Sequence, residues 1–335
     1  MSDSVTPSDS KIRWGILSTG GIAATFAGDL PRVPGAELAA VGSRSLPAAE
    51  AFARKHGFAR AYGSWAELAG DPDVDVVYVA TPHAFHLPAA LACLAGGKAV
   101  LCEKPMTLDL ASAAQLVQES RARGLFLMEA MWMRFNPAIR KMVDLIADGA
   151  IGEVTSVHAD FGLQGPFAAS HRLRDPALGG GALLDLGVYP VNLAHLVLGV
   201  PATVTSWGHL TPEGIDDNTG VVLGYESGAM AALTCSLVGE TRNAASITGT
   251  RGRIDLPPGF FAPRSFSLVR AGSVEVFEFP FEGRGYQFEA AEVQRCLVAG
   301  ALESPLMPHD TTLEIMTLLD AVRDEIGVLY PPATA

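Results

Sequence analysis

At 335 residues, 49% hydrophobic and 18% charged, the chain is long enough for two domains with separate cores and too apolar for a disordered protein. A net charge of -12 without any basic patch argues against a nucleic acid partner. The four cysteines, Cys93, Cys102, Cys235 and Cys296, form no CxxC pair and have no histidine at zinc spacing, so they read as reduced thiols of a cytoplasmic protein without a metal site.

Residues 1–10 are polar and lack both a basic start and an apolar core, which predicts a loose tail rather than a signal peptide. Apolar runs are interrupted short of the ~20 residues a bilayer needs, so no membrane segment is expected. Residues 11–30 have the form of a buried strand, a glycine turn and a helix start. Ile12, Trp14, Ile16 and Leu17 suit a parallel strand covered on both faces, and Ile22, Ala23, Phe26 and Leu30 recur at helical spacing. Between them Ser18, Thr19, Gly20 and Gly21 turn the chain, so that these residues and Ile22 offer free backbone N–H groups to a phosphate. The small positions read Ser18-x-Gly20-x-x-Ala23, a dinucleotide fingerprint with serine where the first glycine is expected.

Strands over 38–42, 59–62, 74–80, 99–102 and 125–128 then alternate with helices over 47–56, 64–69, 87–95 and 109–123. This predicts an α/β fold with a doubly wound parallel sheet, a dinucleotide-binding domain over 11–129, and a ligand crevice at the carboxyl ends of the strands. At the second strand end stand Ser43 and Arg44 without a carboxylate. A hydroxyl and a guanidinium suit a 2'-phosphate, so NADP(H) is expected over NAD(H), which is not excluded; otherwise Arg44 faces solvent. Thr81, His83 and His86 follow the fourth strand, placed either for cofactor ribose and pyrophosphate or as caps of the next helix. Glu103, Lys104 and Pro105 end the fifth. A lysine directly after a buried apolar strand needs a polar partner, either a functional one or a salt bridge to an acid at the sheet edge.

The domain junction is placed at 129–137, where Trp132, Arg134 and Phe135 either wall a pocket for cofactor and substrate or pack a hinge. Residues 130–335 then form the second domain. The segment 164–181 is too rich in Gly and Pro for an element, and a loop that long is usually functional. The following helix is apolar except for a stripe of Asp185, Tyr189 and Asn192, which implies a cleft, unless Asp185 caps the turn and Tyr189 is core. Pro190 should kink it opposite Leu186. Seven strands between 203 and 279 predict a large, mostly antiparallel open sheet whose free face serves a homodimer or tetramer. Two helices, 286–299 and 311–326, end the chain and are able to pack back on the first domain.

The order of glycine turn, TPxxxH, EKP and GGxxxDxGxY resembles the glucose-fructose oxidoreductase and inositol dehydrogenase family, Gfo/Idh/MocA, over nearly the whole chain. AVLCEKPM, GLFLMEAMWMRF and GGGALLDLGVYPVNL are similar to its branch of dimeric dihydrodiol dehydrogenases and NADP-dependent D-xylose dehydrogenases. The resemblance implies a Rossmann domain, a dimerising open sheet, a sugar, polyol or dihydrodiol substrate, and catalytic roles for Lys104, Asp185 and Tyr189. The expected mechanism has Tyr189 as the acid-base group, its pKa lowered by Lys104, with Asp185 holding Lys104 or the substrate; Lys104 as the direct proton carrier stays open. Two rivals on the same scaffold are a glycoside hydrolase that retains its nicotinamide and a non-catalytic cofactor-binding regulator.

Overall fold

The computed structural model describes residues 11–168 and 170–331, so the tail expected over 1–10 lies outside them. The first sheet has the strand order β3-β2-β1-β4-β5-β6, all parallel, with β1 (Ile12–Leu17), β2 (Ala36–Gly42), β3 (Arg60–Tyr62), β4 (Val76–Val79), β5 (Ala99–Glu103) and β6 (Leu127–Ala130). Its helices are α1 (Gly21–Asp29), α2 (Leu46–His56), α3 (Trp65–Ala69), α4 (His86–Ala95) and α5 (Leu110–Arg123). Alternate strand residues feed two apolar layers. Trp14, Ile16, Val76 and Tyr78 pack with Phe26 of α1, while Leu17, Val77, Val79 and Val100 pack with Leu94 of α4 and Leu116 of α5. Burial on both faces is why these strands read as continuous apolar runs. The order reverses on either side of β1, so the crevice opens where β1 and β4 end.

After β6 the chain makes a helical turn, Trp132–Phe135, and enters α6 (Pro137–Ala147), whose N-terminus is capped by Asn136. The predicted junction therefore falls at the end of β6. The second sheet has eight strands in the order β14-β13-β12-β11-β7-β10-β9-β8. They are β7 (Val154–Gly162), β8 (Thr203–Leu210), β9 (Asp216–Gly224), β10 (Met230–Ser236), β11 (Ala245–Gly249), β12 (Gly252–Leu256), β13 (Ser265–Arg270) and β14 (Ser273–Glu278). Every pair is antiparallel except β7 with β10. Along β8 inward and outward residues alternate, which leaves Trp207 66% exposed on the free face beside Val222 of β9.

The buried face carries α7 (Val188–Leu198), entered through a wide π-type turn, Leu183–Gly187. Pro190 cannot donate to the Leu186 carbonyl, and the wide turn takes up the mismatch. The stretch Pro176–Leu198 corrects the expectation of no membrane-length segment: its 23 residues are long and apolar enough to span. Its most apolar window is 78% buried within the protein, as the helix of a folded core would be.

The last helices, α8 (Tyr286–Val298) and α9 (His309–Ile326), return to the first domain, α8 against α1 and α9 against α5. At the end of α1 the buried Asp29 carboxylate accepts hydrogen bonds from the backbone of Arg284, Gly285 and Tyr286 at 2.8, 2.9 and 3.1 Å. An acid at that position satisfies the orphan amides that begin α8.

Candidate active site

A cavity of about 470 Å³ lies at the mouth of the crevice, walled by both domains. From the first domain come Ser18, Gly20, Gly21, Ile22, Thr81 and the EKP turn. A Cβ at Gly20 would meet nothing but the Ser18 hydroxyl at 3.3 Å, and one at Gly21 would meet nothing within 4 Å. The protein's own packing therefore does not demand these glycines; they leave the helix start open to something outside the chain. Ser18 holds φ 127°, a left-handed value that serine rarely adopts, and its hydroxyl accepts from Gly20 N at 3.1 Å. Here is the physical content of a serine at the first fingerprint position: it takes a glycine conformation.

Lys104 follows directly on β5 and is buried. Its Nζ donates to the Asp185 carbonyl at 2.7 Å, lies 3.7 Å from Asp185 Oδ1, and sits 4.7 Å from the centroid of the Tyr189 ring. Arg172, from the long loop, holds Asp185 from the other side through Nη1–Oδ1 at 2.8 Å and Nη2–Oδ2 at 3.3 Å. Burial pushes the Asp185 carboxyl up, but the Lys104 and Arg172 cations outweigh it and keep it anionic, well below the usual carboxylate range. Glu103 is raised by burial; it accepts from the Tyr78 hydroxyl and from the Lys104 backbone at 3.1 Å.

Tyr189 receives a hydrogen bond on its hydroxyl from Trp132 Nε1 at 2.8 Å. Burial, and then Glu103, push its phenol well above the ordinary tyrosine value. The expected depression by Lys104 does not emerge, because the ammonium lies over the ring and the phenol is buried.

The histidines line the cavity but work partly as ties. His83 Nδ1 pairs with the Gly179 carbonyl at 2.9 Å, joining the domains, and burial pushes it down to about 3, so it is neutral. His86 sits between the carbonyls of Pro105 and Thr81, at 2.8 and 2.9 Å.

Three expected contacts need correction. Arg134 is buried and does not line the cavity; its guanidinium bonds Asn192 Oδ1 at 3.0 Å and His195 Nδ1 at 3.2 Å. Asn192 is thereby an interior partner, fully buried and away from the cavity lining. Phe135 belongs to the core. Their polar or aromatic character arises from hinge packing between the turn after β6 and α7.

Residues 12–131 match the description "Oxidoreductase family, NAD-binding Rossmann fold", and residues 139–255 match "GFO/IDH/MocA C-terminal domain". The chain belongs to the Gfo/Idh/MocA oxidoreductase family. This oxidoreductase is 39% identical over 333 residues to the trans-1,2-dihydrobenzene-1,2-diol dehydrogenase of Bos taurus, covering 96% of this chain and 98% of the bovine protein. Among solved structures it is similar to a 3-ketoreductase from Actinomadura kijaniata in complex with NADP and TDP-benzene, at 29% identity and a TM-score of 0.85 over 95% of this chain and 98% of the other. The fold alone is shared with an aldose-aldose oxidoreductase from Caulobacter crescentus, at 24% identity and a TM-score of 0.85 over 94% and 97% of the two chains.

The site fits a nicotinamide dinucleotide: the open helix start faces the cavity, the Thr81 hydroxyl is buried there without a partner among the described residues, and Arg44 just after β2 rests over the Phe85 ring at 5.1 Å. Among the lining residues of this oxidoreductase that sequence reasoning missed are Phe161, Leu163, Arg172, Phe261 and Tyr286. Arg172 sits inside the loop singled out for its length, which was the one available signal. The aromatics meet only through the sheet's register and the return of α8.

Proposed function

We propose that this oxidoreductase transfers hydride between NADP(H) and a secondary hydroxyl, or its carbonyl, on a small sugar, polyol or trans-dihydrodiol. The observation that carries the reading is the convergence of Lys104 and Tyr189, one from each domain, on a single cavity that opens onto the glycine turn. Bound there, the nicotinamide supplies or accepts the hydride. The protein manages the proton. Tyr189, neutral in its buried setting, holds a proton at its hydroxyl to give to an alkoxide in reduction and to recover in oxidation. Lys104 brings positive charge to the same wall, and Asp185, braced by Arg172, holds that ammonium through its backbone carbonyl.

Trp132, Phe161 and Phe261 pack beside Tyr189, with Tyr286 stacked on Trp132, so the cavity offers an apolar aromatic surface next to the proton-bearing group, which suits a ring with its hydroxyls along one edge. NADP preference rests on Arg44, which no carboxylate pairs among the described residues, and on the NADP found with the ketoreductase neighbour. A homodimer through the free face of the second sheet is proposed from the exposed Trp207 and Val222 and the broad concavity of about 1000 Å³ around them. Four buried free cysteines suit a reducing, cytoplasmic setting.

The test is a panel of aldoses, polyols and dihydrodiols offered with NADP and with NAD, read at the reduced-nicotinamide absorbance. Reduction of NADP by at least one class is expected. A panel in which nothing reduces either cofactor overturns the reading.

A further inference from the structure

We propose that Trp132 is a positioning residue whose indole N–H fixes the direction in which Tyr189 presents its proton and eases the loss of that proton. The inference rests on the reading of Tyr189 as the acid-base group. An indole N–H can only donate, so the Tyr189 oxygen must accept on that side, at 2.8 Å, and its own proton points elsewhere. Lys104 lies over the ring face, and no other hydrogen bond reaches this hydroxyl among the described residues. The direction left is the cavity, which both side chains line.

The charges around Tyr189 make the donor consequential. Glu103 ends β5 and Asp185 stands in the turn that leads into α7, and both acids oppose a phenolate; Glu289 and Tyr286 of α8 share its burial, which pushes the Glu289 carboxyl well above the ordinary range. Lys104 and Arg172 are the cations near it. Against that acidic surround, Trp132 is the group that donates directly to the oxygen which must carry the charge.

The indole is held for this purpose. Trp132 stacks on Tyr286 with ring centroids 4.3 Å apart and planes at 14°, and the Tyr286 backbone is pinned by Asp29. Stacking alone would be served by phenylalanine at 132; the hydrogen bond would not.

Two measurements on the full-length protein test this. In Trp132→Phe, NADP-linked turnover should fall about tenfold or more, with the limb of the kcat pH profile assigned to Tyr189 moving up by about one pH unit and KM for NADP changing less than about twofold. A profile that superimposes on the parent, or a change confined to KM, overturns the proposal. Independently of turnover, the four tryptophans give four indole N–H resonances. On Tyr189→Phe, the Trp132 signal should move more than the other three. An unmoved Trp132 signal overturns the proposal even if Trp132→Phe fails to fold. Because the resonance needs no substrate, a panel without any hydride transfer would sink the oxidoreductase reading while leaving this contact to be judged on its own.

Discussion

The Lys104 ammonium lies over the face of the Tyr189 ring, 4.7 Å from its centroid, while the Tyr189 hydroxyl is bonded to Trp132 instead. Charge and proton are therefore carried by separate groups, and their removal should look different. Tyr189→Phe should lower kcat by about 10²–10⁴ and abolish the pH limb due to the phenol, since no group replaces its proton. Lys104→Met should also lower kcat but leave that limb in place, because the ammonium lies over the ring and does not depress the phenol. Retention of most turnover by either variant removes that residue from the chemistry.

Arg44→Ala tests cofactor choice. On the proposed NADP preference, the guanidinium that rests over Phe85 just after β2 would make a charge-assisted contact with a 2'-phosphate. KM for NADP should rise about ten- to a hundredfold while KM for NAD stays within about twofold. Equal changes for both cofactors would show that Arg44 does not read the phosphate.

Ser18→Gly concerns the turn itself. Relief of a positive φ in a non-glycine residue is worth roughly 1–2 kcal/mol, and loss of the Ser18 hydroxyl bond to Gly20 N costs roughly 1 kcal/mol. Thermal unfolding should therefore show a melting temperature equal to or above that of the parent. A clear fall would mean that the hydroxyl, and not the backbone angle, governs this turn.

Stability should vary with pH through Glu129. Fully buried, it accepts from Met106 N at 3.1 Å and from the Thr312 hydroxyl at 2.9 Å, and burial pushes it up to about 7. A carboxyl raised in the folded state binds its proton more tightly there than in the unfolded chain. Its contribution is thus complete below the ordinary carboxylate range and is lost as pH rises toward 7, by no more than roughly 3 kcal/mol. Glu129→Gln keeps an acceptor for Met106 and cannot ionise, so it should flatten the fall in melting temperature between pH 5 and 7.5. A parallel fall in both proteins would assign the dependence to other groups.

The first domain was legible because its signals are local. Apolar strands, a glycine turn and the misplaced lysine at position 104 each announce themselves within a few residues, and the strand order follows from parallel pairing. Of the stripe of Asp185, Tyr189 and Asn192, two residues line the cavity and one does not. The wide turn over Leu183–Gly187 changes the helical phase, so the first two face the cavity while Asn192 turns to Arg134. Arg172, Phe261 and Tyr286 were out of reach: each arrives through a loop path or a returning helix that no local spacing records.

Asp29 gives the architecture a practical corollary. It sits at the end of α1 in the nucleotide half yet caps the start of a helix of the other half, and that helix carries an aromatic of the cavity wall. Anyone grafting a foreign nucleotide module onto this substrate half must transplant an acid at that spot as well. A chimera lacking it would inherit a misaligned wall although every residue in the wall itself was preserved.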